Sequence, residues 1–92
     1  RHLSGHAVDV AAIIQGRVSW DWPWYFLIAR AFQRAANDLN VPIIWGGAWR
    51  RLLNGEISPE KLQAAYRDEC RKAGRLPFLD GPHLELDRHK YL

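Results

Sequence analysis

Two short segments, Asp21-Trp22-Pro23 and Ser58-Pro59-Glu60, carry the same helix-opening chemistry, and together they constrain this chain's fold more than any other feature. Each sets a capping residue just ahead of a proline, whose missing N–H and fixed φ suit a first helical turn. The first helix is expected to run to about Asn40. Ile28, Ala31, Phe32, Ala35 and Leu39 recur at helical spacing and form one apolar stripe. The second helix is expected over about 59–73, where Leu62, Ala65, Tyr66, Cys70 and Ala73 give a weaker stripe that ends at Gly74.

The segments between these helices read as strands and turns. His6 to Ile14 is rich in β-branched residues and stops at Gln15-Gly16, which predicts a buried strand with Asp9 inside it. A buried carboxylate is costly without a partner, so pairing or a metal is expected to hold Asp9. Arg17 to Trp20 is expected as a loop, and Val41 to Trp45 as a short strand closed by Gly46-Gly47. His83-Leu84-Glu85-Leu86 alternates as a last strand, entered through the turn Asp80-Gly81-Pro82, with His83 and Glu85 on one face. The order strand, helix, strand, helix, strand leaves few residues for parallel crossovers. The expected class is therefore α+β, a small antiparallel sheet with packed helices.

A chain of 92 residues fits one domain, taken as 1–92, and it holds no internal repeat. Its apolar stretches fall short of the ~20 residues of a membrane helix, and any export signal is expected outside it. One cysteine, Cys70, excludes an internal disulfide and a multi-cysteine metal site. A net charge of +3 is compatible with anionic partners such as nucleic acid, acidic lipid or wall polymers. The basic residues of the second half are interspersed with Glu56, Glu60, Asp68 and Glu69, which favours a solvated helix face over a nucleic-acid footprint. Of the five tryptophans, most are expected in the core, with Trp45 or Trp49 near a functional site.

The two ends of the chain hold the donors of a hydrolytic zinc site. Such a site needs three nitrogen or carboxylate ligands, an open position for water, and a separate group to handle that water's proton. His2, Asp9 and His83 offer the ligands and Asp80 the proton chemistry, with His6 competing for the place of His2. Gly5 and the β-rich run after it argue against a helical pairing of His2 with His6.

Three motifs in order, Arg1-His2-Leu3-Ser4-Gly5-His6-Ala7-Val8-Asp9-Val10, Trp45-Gly46-Gly47-x-Trp49 and Asp80-Gly81-Pro82-His83-Leu84-Glu85-Leu86, resemble a known family. It is the zinc D-alanyl-D-alanine carboxypeptidase and L-alanyl-D-glutamate peptidase family (VanY-like), particularly its bacteriophage endolysin branch. The resemblance implies a Hedgehog/DD-peptidase-like fold, Zn2+ held by His2, Asp9 and His83, and Asp80 as catalytic base. It further implies a monomer that acts on the peptidoglycan stem peptide in the cell wall or periplasm, with neither nucleic acid nor membrane as partner. The bond expected to be cut joins L-alanine to D-glutamate; removal of terminal D-alanine, or an inactive domain that only binds zinc or wall peptide, are the alternatives.

Two departures from the family pattern stand inside the chain. Ala48 occupies a place where the family usually has aspartate, and Leu52 to Phe78 is longer than the link of compact endolysins, so its helix is a lid, a wall-contacting element or a packing addition. The serine that opens the family's first motif would precede Arg1, and the chain is expected to lack an N-terminal part of the domain.

Overall fold

The structure, a computed structural model, describes residues 6–87. Three strands form an antiparallel sheet: β1 (Ala7–Asp9), β4 (Ile43–Trp45) and β5 (His83–Leu86), in the order β1-β5-β4. A separate hairpin pairs β2 (Ala12–Ile14) with β3 (Arg17–Ser19). The helices are α1 (Trp22–Leu39) and α2 (Pro59–Lys72). The α+β class and both helix starts agree with the sequence reading. None of the helices among the described residues is long and apolar enough to cross a membrane.

Both helices begin beside their prolines, although Asp21 makes no side-chain capping hydrogen bond to α1. Ser58 caps α2 by accepting the Lys61 N–H at 3.3 Å, and α1 closes on Asn40 in the left-handed conformation at φ 55°. The apolar stripe of α1, however, is rotated from the expected one. Ala31, Ala35 and Leu39 face solvent, while Tyr25, Ala29, Gln33 and Ala36 are buried. The reason is partly polar. The Gln33 amide donates to the carbonyls of Leu53 at 2.8 Å and Ile57 at 2.6 Å, so a residue that a hydrophobicity pattern assigns to solvent anchors the buried face. Trp22 and Phe26 complete that face against Trp45.

The long buried strand expected over 6–14 is also corrected. After Asp9 the chain leaves the sheet, and the Val10 N–H donates to the Pro82 carbonyl at 2.8 Å. The β-branched residues that follow pair in the hairpin, where the expected loop 17–20 supplies β3. Gln15 and Gly16, at φ 51° and 80°, make the tight turn between them. Ile13 and Val18 sit opposite each other and remain 69% and 47% exposed.

The core gathers Tyr25, Ala29, Trp45, Leu53, Leu62, Tyr66, Cys70 and Leu84. Segment 52–78 packs into this core, to which α2 contributes Leu62, Tyr66 and Cys70. Its outer side carries charge. Arg51 pairs with Glu69, and Asp68 with Arg71 and Lys72, as a solvated face would.

Candidate metal centre

Sheet register brings residues 7–9 and 83–85 together. In the antiparallel pair β1·β5, Asp9 lies directly opposite His83 and Ala7 opposite Glu85. Directly opposed residues project to the same face, so Asp9, His83 and Glu85 share one side of the sheet. Leu84 and Trp45, on the other side, are 2% and 1% exposed in the core.

Asp80 reaches the same spot through a turn held from several directions. The Asp80 carbonyl accepts the His83 N–H at 3.1 Å and so closes the turn. Gly46 accepts the Asp80 N–H at 2.9 Å and donates to the His83 carbonyl at 2.8 Å, while Trp45 Nε1 donates to the Gly81 carbonyl at 2.8 Å. Glycine is required at position 46 because a Cβ there would stand 2.1 Å from the Asp80 carbonyl oxygen. Gly81 is similarly confined, since its Cβ would press on the Tyr25 ring at 2.8 Å. Both glycines therefore act by permitting close approach of other parts of the chain.

The result is a cluster of Asp9, Asp80 and His83, with one ligand atom of each within 4.8 Å of the others. His83 is nearly buried, with its side chain 9% exposed, whereas that of Asp9 is 53% exposed. Asp9 is therefore not the buried strand carboxylate expected from its neighbours; what singles it out is the histidine across the ladder. Oδ1 of Asp9 lies 3.3 Å from Nδ1 of His83, and Oε1 of Glu85 lies 2.7 Å from Nε2 of the same ring. Glu85 is itself buried at 6% exposure.

Proton counting makes this arrangement informative. A neutral imidazole has one N–H, and the short contact to Glu85 assigns it to Nε2. Nδ1 then turns a lone pair toward the Asp9 carboxylate. Two acceptors at that separation repel unless a cation or an added proton lies between them. Two donors on a tetrahedral zinc, each about 2.1 Å from the ion, stand about 3.4 Å apart, which matches the observed gap. The donor chemistry of the cluster thus fits a zinc ion, with Glu85 in the place of the carboxylate that orients a ligating histidine.

His2, the remaining expected ligand, lies outside the described residues, as does His89. His6, its competitor, is described and does not join the cluster. Ala48 is buried at 2% exposure, and the carboxylate that meets His83 Nε2 is that of Glu85. Of the two candidate tryptophans, Trp45 supports the turn from the core, and Trp49 tilts over His83 with ring centroids 5.2 Å apart. An open cleft of ≈ 380 Å³ lies beside the cluster, lined by Trp49, Phe78, Asp80, His83 and Glu85. Phe78 was not expected there. Its sequence surroundings, Leu76-Pro77-Phe78-Leu79, carry no periodic signal that would separate a cleft residue from a linker residue.

Comparison with known proteins bears on this site. The L-alanyl-D-glutamate peptidase of Escherichia phage T5 is 28% identical over 87 residues, which cover 94% of this chain and 53% of that protein. The chain thus spans about half the length of this curated relative. No solved structure matches. Residues 1–87 match the family described as phage L-alanyl-D-glutamate peptidase, and the chain belongs to that family.

Proposed function

We propose that this chain is a zinc-dependent peptidoglycan peptidase that hydrolyses the bond between L-alanine and D-glutamate in the stem peptide. The observation that carries the reading is the 3.3 Å approach of Asp9 Oδ1 to His83 Nδ1 while Nε2 is engaged by Glu85. Family membership and the name of the phage T5 relative support the substrate and the bond.

In this reading Asp9 and His83 hold the metal with His2 as third ligand. A zinc ion bound there would supply Lewis acidity, polarising the scissile carbonyl and easing loss of a proton from water. Asp80, delivered by the turn onto the same spot, accepts the proton of the attacking water and passes it to the leaving amine nitrogen. Glu85 holds the His83 ring through Nε2, which leaves Nδ1 as the nitrogen that would take the metal. Trp49 packs over the ring and limits its tilt.

The test is zinc content per chain by elemental analysis, paired with murein digestion before and after chelation. Near-stoichiometric zinc with chelator-sensitive release of peptides bearing new D-glutamyl amino termini is expected. Release of free D-alanine alone would replace the proposed bond with a carboxypeptidase cut. Asp80→Ala is expected to lower turnover about 10²–10⁴-fold while zinc stays bound. Loss of zinc on that change would make Asp80 a ligand and end its assignment as base.

A further inference from the structure

The cleft has an aromatic wall that neither metal binding nor proton transfer uses. Phe78 stacks on Trp49 with centroids 6.1 Å apart and planes 23° from parallel, and Trp49 in turn covers His83. Phe78 remains 66% exposed, yet its backbone is clamped. The Tyr66 hydroxyl donates to the Phe78 carbonyl and accepts the Phe78 N–H, both at 3.2 Å. Burial, and next the Cys70 thiol beside it, push the Tyr66 pKa above the ordinary 10.0, so the hydroxyl keeps the proton it donates. The indole N–H of Trp49 is buried without a hydrogen-bond partner among the described residues, so packing alone sets that ring.

We infer that Phe78, positioned by Tyr66 and stacked on Trp49, is a substrate-contacting wall that takes the small apolar side chain beside the scissile bond. The inference rests on the proposed peptidase reading. Its chemistry follows from the two sides of the cleft: Asp80 and Glu85 repel a substrate carboxylate, whereas the rings offer it nothing and offer an alanyl methyl group an apolar surface. Helix α2 thereby serves the site at a distance, since Tyr66 belongs to its buried face.

Steady-state kinetics on a soluble stem peptide test this. Phe78→Ala is expected to raise KM about tenfold with kcat nearly unchanged, and Phe78→Leu to recover part of the loss. Tyr66→Phe keeps the buried ring and is expected to raise KM about threefold, with zinc content and unfolding temperature close to the parent's. Unchanged KM in Phe78→Ala overturns the inference, as does a loss confined to kcat. Proton NMR of the zinc-loaded chain titrated with the dipeptide L-alanyl-D-glutamate provides a readout apart from turnover, with shifts of the Phe78 ring expected. Ring shifts without turnover keep the wall and remove the peptidase reading. Turnover with an unmoved ring does the reverse, and absence of both overturns both.

Discussion

Segment 80–86 carries no β-branched residue and the hairpin over 12–19 carries Ile13, Ile14 and Val18, yet each contains extended strand backbone. Their surroundings differ sharply. In the first, His83, Leu84 and Glu85 are 7%, 2% and 6% exposed, and the turn is hydrogen-bonded to Gly46 on one side, Val10 on another and Trp45 from the core. In the second, two strands pair, among the described residues, only with each other and turn Ile13 and Val18 toward water. An isolated two-stranded ribbon is marginal in water, whereas a strand paired on both edges has lost its alternatives. The contrast teaches that β-branched content says little about burial. Precision is found where backbone groups from distant parts of the chain converge, and the candidate site stands there.

The comparison can be broken most severely at Gly46. Gly46→Ala places a methyl group 2.1 Å from the Asp80 carbonyl oxygen, so β4 and the turn must part. Stability is expected to fall by about 3 kcal/mol or more, with zinc affinity falling alongside, as read by thermal unfolding and metal competition. A near-parental Tm would mean that the turn has slack and is not pinned as described. A smaller effect is expected from Glu85→Gln, which keeps the shape but removes the carboxylate from His83 Nε2. Zinc affinity, measured against a chromophoric chelator, should drop about tenfold, toward the lower end of outer-shell effects. Unchanged affinity would show that the backbone alone orients His83. The smallest effect belongs to the hairpin: Ile13→Ser should change stability by no more than about 0.5 kcal/mol in denaturant titration. A loss above about 1.5 kcal/mol would erase the distinction between the two regions.

Several particulars are legible in the sequence alone. The prolines Pro23 and Pro59 and the Ser58 cap located both helix starts because the first turn's unsatisfied N–H groups are a local problem with local solutions. The juxtaposition of His83 and Glu85 followed from strand alternation, and the motif order tied Asp9, Asp80 and His83 to one site. The buried face of α1 was misread because Gln33 belongs inside only by virtue of two carbonyls contributed by segment 53–57. The break after Asp9 was invisible for the same reason, since Val10 leaves the ladder toward a carbonyl seventy-odd residues away.

Local chemistry was thus sufficient for the identity and ends of the helices and for the turn residues, because each depends on a few neighbouring atoms. Which residues are buried, how the Asp9 and His83 donors come to face each other at 3.3 Å, and how Tyr66 places Phe78 at the cleft all depend on register and packing between remote segments. Those relations arise only when distant backbone groups satisfy one another, and no window of sequence contains both partners.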